Sequence, residues 1–287
     1  MPRPEAGGAA GFTGGELIIA GGTAWDGETK VWLKEVQIYN PSRNDWRAGP
    51  PLPVALAYGP FVHSGSDLEI FGGTDGKQVH RESWKLDAAK AKWESTGRVP
   101  ADVLLGAAAR SGGDVFLMGG CPDAVDLTRC SDAVWRRGSG GWHRVSTLPG
   151  GPMALSAIAS VGGQIYIFGG CSMPSAGKVL NHAEAYRYDP RKNTWTTLHS
   201  LPSASRGLSA VAADDRHIYL LGGYGTTFSA DVLVYDTQAD TYQQSVPLPV
   251  PLMATPFVRD GHTLYGAGGE DRPKGRSARM LVGEIAK

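Results

Sequence analysis

The segment Ile165-Tyr-Ile-Phe-Gly169-Gly170 is a short apolar run that ends in two glycines. The same pattern, a mostly apolar run followed by a diglycine, occurs six times in the 287 residues. The six glycine pairs are Gly21-Gly22, Gly72-Gly73, Gly119-Gly120, Gly169-Gly170, Gly222-Gly223 and Gly268-Gly269. Their second glycines lie 51, 47, 50, 53 and 46 residues apart. The chain is therefore built from six copies of one repeat.

A second marker follows each of the first five diglycines. An aromatic residue or Leu precedes Trp or Tyr by seven positions in the pairs Tyr39/Trp46, Leu86/Trp93, Trp135/Trp142, Tyr188/Trp195 and Tyr235/Tyr242. Two linked periods of this length are typical of kelch repeats, in which each repeat is one four-stranded antiparallel blade. We therefore predict an all-β protein, a six-bladed kelch-type β-propeller.

The repeats predict one domain of six blades over residues 1–287. The predicted blades cover approximately residues 7–53, 54–100, 101–149, 150–202, 203–249 and 250–287. Met280-Leu-Val-Gly-Glu284 aligns with Val232-Leu-Val-Tyr-Asp236, so the last copy reaches only its third strand. Pro2-Arg-Pro4 aligns with linkers between blades such as Pro51-Leu-Pro53. We expect blade six either to have three strands or to be covered at its edge by residues 1–6.

Composition and charge exclude several classes of partner. The 28 basic and 28 acidic residues cancel, and no basic stripe with interleaved aromatic residues predicts nucleic-acid binding. No apolar run of about 18 residues predicts a membrane span. The segment Met1-Pro-Arg-Pro-Glu-Ala-Gly7 lacks the apolar core of a signal peptide. We expect a cytoplasmic protein, or a periplasmic one from which a signal has been removed.

The three cysteines leave two alternatives open. Cys121 and Cys171 each follow a diglycine directly, and Cys130 lies nine residues after Cys121. The odd count favours three free thiols in a reducing compartment. A Cys121–Cys130 disulfide in a periplasmic protein is the alternative. A catalytic cysteine is less favoured, because no His is placed by the sequence to activate one.

Two sets of loops are expected to meet on one face of a kelch propeller: those after each diglycine, and the linkers between blades. The linkers are mostly apolar, with Tyr58, Asp102 and Arg206 as polar points, and the last loop adds Glu270-Asp-Arg-Pro-Lys-Gly-Arg276. An apolar mouth with a few polar groups is the ordinary form of a small-molecule site, whereas a charged loop is often only solvated. Standard catalytic motifs are missing and the seven histidines are scattered, so we expect no metal and no cofactor.

The loops resemble those of the cyclically permuted mutarotases, the kelch proteins that include N-acetylneuraminate epimerases. The resemblance rests on segments 20–36, 57–59, 165–195 and 269–276. It implies an isomerase that acts on the anomeric centre of sialic acid or a related keto sugar. Glu270 would be the acid/base, and Arg276 would bind the carboxylate of the small acidic sugar, since a guanidinium binds planar oxyanions in a bidentate fork. Arg206, Tyr58 and Asn181 would complete the substrate-binding set.

The chain also departs from this family. Leu56 and Met153 replace linker arginines, and Arg206 stands where related chains carry a small or apolar residue. We therefore predict that Arg206 and Arg276 point to the same central opening. The alternative function is a non-catalytic kelch module that binds a protein or a glycan through its loop rim, and the fold alone does not decide between the two.

Overall fold

The computed structural model describes residues 1–65, 67–87 and 89–285. Their regular secondary structure is β-strand, apart from one 3₁₀ turn at Leu127–Arg129. The strands are β1 (Ala9–Thr13), β2 (Glu16–Ala20), β3 (Thr23–Asp26), β4 (Thr29–Trp32), β5 (Val36–Asn40), β6 (Asp45–Ala48), β7 (Phe61–Ser64), β8 (Asp67–Thr74), β9 (Val79–Leu86), β10 (Trp93–Arg98), β11 (Ala107–Ser111), β12 (Asp114–Met118), β13 (Ala133–Gly138), β14 (Gly141–Thr147), β15 (Ala157–Val161), β16 (Gln164–Phe168), β17 (Cys171–Ser175), β18 (Lys178–Asn181), β19 (Ala185–Asp189), β20 (Thr194–Leu198), β21 (Ser209–Ala212), β22 (His217–Leu221), β23 (Val232–Asp236), β24 (Thr241–Gln244), β25 (Phe257–Asp260), β26 (Thr263–Ala267) and β27 (Met280–Glu284). Within these described ranges, no helix is long and apolar enough to cross a membrane.

Six antiparallel sheets correspond to the six repeats. Five have four strands, in the orders β1-β2-β5-β6, β7-β8-β9-β10, β11-β12-β13-β14, β15-β16-β19-β20 and β21-β22-β23-β24, and the sixth is β25-β26-β27. The second strand of every sheet is the apolar run that leads to a diglycine, as predicted. The prediction of an all-β protein with the six blades of a kelch propeller is confirmed.

The chain forms two compact units. The first unit consists of Met1–Leu104 and Thr255–Lys287 and holds blades one, two and six. The second unit consists of Leu105–Ala254 and holds blades three, four and five.

Apolar strand residues form the core of each unit. In the first unit Ile18, Ile38 and Leu68 are fully buried between neighbouring blades. In the second unit Phe168 packs edge-on against Tyr235, with the ring centroids 5.2 Å apart. Burial of one such side chain contributes about 1.5–3 kcal/mol.

The aromatic residue of strand four lies directly opposite a strand-three residue in every four-stranded blade. Tyr39 pairs with Trp46 and Tyr188 with Trp195, as the seven-residue spacing predicts. Blade three differs, because its hairpin turn is two residues shorter: Trp142 pairs with Arg137, whose guanidinium lies 5.3 Å from the ring centroid. In blade three the two residues of the sequence marker, Trp135 and Trp142, are therefore not cross-strand partners.

Residues 1–6 connect blade six to blade one. The amino group of Met1 donates to the carbonyl of Ala278 at 2.6 Å, and the N–H of Gly269 donates to the carbonyl of Glu5 at 2.8 Å. On the other side, Ala6 and Thr23 exchange two backbone hydrogen bonds. In the described residues blade six has three strands, and the N-terminal segment acts as a linker instead of a fourth strand.

Cys121 and Cys130 form a disulfide, and Cys171 is a buried free thiol. The preferred prediction of three free thiols is wrong for the first two. The chain folds back around the 3₁₀ turn between them, which brings their Cα atoms within 4.1 Å of each other. The disulfide closes the loop that follows the diglycine of blade three.

Candidate functional site

Glu270 and Arg276 meet in the first unit, in the loop that follows the last diglycine. Nη1 of Arg276 lies 2.8 Å from Oε1 of Glu270 and also donates to the carbonyl of Gly275 at 2.9 Å. The Arg276 Nε and Nη2 groups donate to Thr23, at 3.0–3.2 Å. The Arg276 side chain is only 5% exposed, whereas that of Glu270 is 24% exposed. Arg276 therefore connects its loop to β3 and forms an ion pair with Glu270. Because Nε, Nη1 and Nη2 all have partners within the protein, few N–H donors remain for a substrate carboxylate.

Tyr58 belongs to the same cluster. Its hydroxyl lies 3.4 Å from Oγ1 of Thr23, the hydroxyl that accepts from Arg276. Lys30 places its ammonium 5.1 Å from the centroid of the Tyr58 ring and 5.3 Å from that of Trp32. Tyr58 has φ 64°, a left-handed conformation that non-glycine residues rarely adopt. The structure thus brings three of the predicted site residues, Tyr58, Glu270 and Arg276, around one threonine.

A buried carboxyl, that of Glu5, adjoins this cluster and was missed by the sequence reasoning. Glu5 is 0% exposed; its Oε2 accepts from the N–H of Gly8 at 3.0 Å, and its Oε1 has no hydrogen-bond partner in the described residues. Burial raises the pKa of Glu5 to about 8, although the Gly8 N–H and the charge of Arg276 act to lower it. The carboxyl is therefore largely protonated at neutral pH.

Glycines of two diglycines make room for this carboxyl. A Cβ atom on Gly22 would lie 2.1 Å from Oε2 of Glu5, and one on Gly268 would lie 2.3 Å from Oε1. Four of the other five blades carry an aliphatic residue at the linker position of Glu5: Leu56, Val103, Met153 and Leu252. Ser205 takes that position in blade five. An alignment of the linkers is the signal that could have singled out Glu5.

Asn181 and Arg206 meet in the second unit. Nη1 of Arg206 donates to Oδ1 of Asn181 at 2.5 Å, and the Asn181 amide donates to the carbonyls of Gly225 at 2.8 Å and Tyr224 at 3.2 Å. The Arg206 guanidinium lies 4.5 Å from the centroid of the Tyr224 ring. No carboxylate of the described residues lies within ion-pair distance of Arg206, whereas Arg276 forms an ion pair with Glu270.

Cys171 lies close enough to Arg206 to be affected by its charge. Burial raises the pKa of the Cys171 thiol to about 11, although the charge of Arg206 acts to lower it. A thiol in this state is a poor nucleophile at neutral pH, because the thiolate is the reactive form.

The predicted site residues thus fall into two groups. Tyr58, Glu270 and Arg276 lie together in the first unit, and Asn181 and Arg206 lie together in the second. The prediction that Arg206 and Arg276 share one opening concerns both units and stays a prediction. Across residues 1–65, 67–87 and 89–285, no three His, Cys, Asp or Glu residues are grouped so that they could hold a metal ion.

Comparison with known proteins gives matches over most of the chain. Residues 61–269 match the model of the KLHDC2/KLHL20/DRC7 Kelch-repeats domain, and residues 6–53 match that of the Kelch motif. Kelch-like protein 25 of Xenopus tropicalis is 26% identical over 279 residues, which cover 90% of this chain and 44% of that protein. Spermatocyte protein spe-26 of Caenorhabditis elegans is 24% identical over 263 residues, which cover 89% and 36%. This chain therefore spans less than half the length of these two relatives.

The match to a mutarotase is local. The N-acetylneuraminate epimerase of Haemophilus influenzae is 39% identical over 85 residues, which cover 29% of this chain and 22% of that enzyme. The resemblance to kelch repeats is thus confirmed over most of the chain, and the resemblance to the epimerases over less than a third. The six sheets, the diglycine strands and the family match over residues 61–269 together show that the chain belongs to the kelch-repeat family of the KLHDC2/KLHL20/DRC7 domain.

Proposed function

We propose that this chain is a kelch binding module that takes a protein partner on its loops, with Arg206 as the anchor. The observation that carries the proposal is that the Arg206 guanidinium has no carboxylate partner among the described residues. The guanidinium lies over the ring of Tyr224 and donates a hydrogen bond to Asn181. An arginine in this state has N–H donors left for a partner.

The residue types support a protein partner. Tyr, Trp and Arg are enriched among the residues that dominate the binding energy of protein interfaces. The aromatic rings offer a large contact area at a low cost in conformational freedom, and the guanidinium offers several hydrogen-bond donors in a fixed geometry. Stacking on Tyr224 and the hydrogen bond to Asn181 fix the guanidinium before a partner arrives, which reduces the entropic cost of binding. The group that Arg206 fits is an oxygen acceptor, either a side-chain carboxylate or a main-chain carbonyl.

The comparisons support the same proposal. The matches to kelch-like proteins extend over about nine-tenths of the chain, whereas the match to an epimerase covers 29%. A binding role is also consistent with the way in which repeat proteins work, since their loops cluster on one face and form the contact surface.

The experiment compares Arg206→Ala with the parent in partner capture. Proteins that the parent retains from a lysate are identified, the strongest is purified, and its Kd is measured by calorimetry. Arg206→Ala should weaken that Kd by about 30-fold or more, as expected of an interface hot spot. Val246→Ser, at a highly exposed position of the same unit, is the control and should bind as the parent does. Equal affinity of Arg206→Ala and the parent would refute Arg206 as the anchor.

The second candidate function is a sugar mutarotase, which the local epimerase match and the pairing of Glu270 with Arg276 favour. Mutarotation needs a base to take the anomeric proton and an acid to protonate the ring oxygen. Glu270, which is partly exposed, could exchange both protons through water. The near-complete burial of Arg276 weakens this candidate, since a substrate carboxylate needs a free guanidinium.

Under this second candidate, Glu270→Gln should keep sugar binding and lose about 10²–10⁴-fold of the rate, because an amide does not accept the proton. Arg276→Ala should instead weaken the binding of acidic sugars. Both variants are tested by NMR with freshly dissolved N-acetylneuraminate. If Glu270→Gln accelerates anomerisation as well as the parent, Glu270 is not the proton carrier.

A further inference from the structure

A serine, a histidine and a glutamate meet in the second unit, in the loop that follows the diglycine of blade four. Ser172 lies on β17, His182 directly follows β18, and Glu184 lies two residues further along the chain. Nε2 of His182 lies 2.8 Å from Oγ of Ser172, which is a hydrogen-bond distance. Nδ1 of His182 lies 3.5 Å from Oε2 of Glu184. The order hydroxyl, imidazole and carboxylate is the arrangement that activates a serine as a nucleophile.

Backbone hydrogen bonds hold the imidazole and the carboxylate in place. The N–H of His182 donates to the carbonyl of Gly170 at 2.9 Å, and the carbonyl of His182 accepts from the N–H of Ser205 at 2.9 Å. The Glu184 carboxylate accepts from the N–H of Ala183 at 3.0 Å, which limits the positions that it can take. Reactive groups whose backbone is fixed in this way keep their geometry better than groups on free loops.

The Glu184 carboxylate determines which nitrogen of His182 carries the proton. A negative charge beside Nδ1 favours the tautomer with the proton on Nδ1, so Nε2 is free to accept from the Ser172 hydroxyl. The 3.5 Å between Nδ1 and Oε2 of Glu184 is longer than a strong hydrogen bond. Catalytic hydrogen bonds often shorten only when a substrate binds. His182 is therefore placed to act as the general base for Ser172.

The three side chains are accessible to a substrate. The side chain of His182 is 21% exposed and that of Glu184 is 51% exposed, and Ser172 is half-buried. Leu180 lies directly opposite Ser172 in the β17–β18 hairpin, on the same face, and is 43% exposed. An exposed leucine beside the hydroxyl offers a contact surface for an apolar acyl group. This arrangement fits a carboxylic ester with a short apolar acyl chain.

We propose that Ser172, His182 and Glu184 form an acyl-transfer site that hydrolyses such esters. Oγ of Ser172 attacks the ester carbonyl while Nε2 of His182 takes the hydroxyl proton, which then passes to the leaving alcohol. Water attacks the acyl-serine with His182 as the base, which releases the carboxylic acid and regenerates the Ser172 hydroxyl. Glu184 acts through His182 and is a positioning residue. The reaction needs only the ester and water, so it does not depend on the partner binding proposed above.

Covalent labelling identifies the nucleophile directly and needs no variant. The whole chain is incubated with a fluorophosphonate, which reacts with activated serines, and the modified residue is identified by mass spectrometry of the peptides. We expect one adduct, on Oγ of Ser172. An adduct on Cys171 or on another residue, or no adduct at all, would overturn the proposal.

Hydrolysis of p-nitrophenyl acetate and p-nitrophenyl butyrate tests the catalytic roles of the serine and the histidine. Ser172→Ala and His182→Gln should each lower the rate by about 10²-fold, the lower end of what general acid–base catalysis contributes. Ser175→Ala, which removes an exposed hydroxyl from the same hairpin, is the matched control and should hydrolyse both esters as the parent does. If Ser172→Ala is as fast as the parent, Ser172 is not the nucleophile and the proposal is wrong.

Two further variants test the positioning residue and the substrate class. Glu184→Gln should lower kcat by about tenfold or more with KM unchanged, and Glu184→Asp should recover part of the loss, because the carboxylate acts only on His182. Leu180→Ser should raise KM for the butyrate more than for the acetate, because it removes the apolar contact of the longer chain. An unchanged kcat in Glu184→Gln would exclude Glu184 from the site, and equal KM changes for the two esters would refute the assignment of an apolar acyl group.

Discussion

The buried carboxyl of Glu5 predicts a stability that falls as the pH rises. Its ordinary pKa is 4.5, and burial raises the pKa in the folded protein to about 8. The folded state thus holds the proton more tightly than the unfolded state, so the free energy of unfolding decreases between pH 4.5 and 8. Above pH 8 the carboxyl is ionised in both states and the contribution is constant.

The magnitude follows from the same two values. At about 1.4 kcal/mol per pH unit, the loss between pH 4.5 and 8 has a ceiling of about 5 kcal/mol. The Gly8 N–H and the Arg276 guanidinium are the groups that stabilise the ionised form, and both are already included in the value of about 8. A loss of several kcal/mol is a large part of the stability of an ordinary domain.

Glu5→Leu tests whether Glu5 causes this pH dependence. Leucine suits the site, because Leu56 occupies the corresponding position in the linker between blades one and two, and Leu252 in the linker between blades five and six. Urea unfolding of the parent and the variant is measured from pH 5 to pH 9. The variant should be the more stable protein at pH 9 and should lack the parent's decrease between pH 5 and 8. Glu28→Gln, at a fully exposed carboxylate, should behave as the parent. If Glu5→Leu retains the parent's pH dependence, Glu5 does not hold a proton in the folded state.

Two other predictions concern stability. Burial acts to raise the pKa of Glu16, but hydrogen bonds from Arg47 and Lys90 outweigh it and lower the pKa to about 2. The ionised Glu16 therefore contributes to the free energy of unfolding above pH 4.5, and this contribution is lost as the pH falls towards 2. Between these pH values the parent should lose about 2–3 kcal/mol of its free energy of unfolding, and Glu16→Gln should not show this loss. Cys121→Ser should lower the free energy of unfolding by about 2–3 kcal/mol, because it opens a nine-residue disulfide loop. Reducing agent should lower the Tm of the parent and of Cys171→Ala but not that of Cys121→Ser, and an unchanged parent Tm would contradict the disulfide.

The blades could be predicted from the sequence because their determinants are local and repeated. A run such as Ile165-Tyr-Ile-Phe168 needs burial on both faces, and the glycines after it take positive φ, 55° at Gly169 and 105° at Gly170. Because the same pattern occurs in six copies, each copy strengthens the prediction of a blade for the others. The register of blade three could not be predicted by averaging the copies, because its turn is shorter.

The site was only partly predictable, because its contacts join residues far apart in the chain. The resemblance to the mutarotases indicates Glu270 and Arg276 as site residues, but the sequence does not show that Thr23, about 250 residues away, takes most of the Arg276 donors. The burial of Glu5 depends on space left by Gly22 and Gly268, which belong to different blades. Such long-range contacts appear only in the folded chain.

We propose that this kelch protein binds a partner protein and does not accelerate the anomerisation of a sugar. The most direct measurement is one-dimensional proton NMR of freshly dissolved α-anomeric N-acetylneuraminate, with and without the protein, extended to a panel of keto sugars. We predict the same rate of anomerisation in both samples. An acceleration by the parent that Glu270→Gln abolishes would contradict the claim and assign the Glu270–Arg276 pair to catalysis.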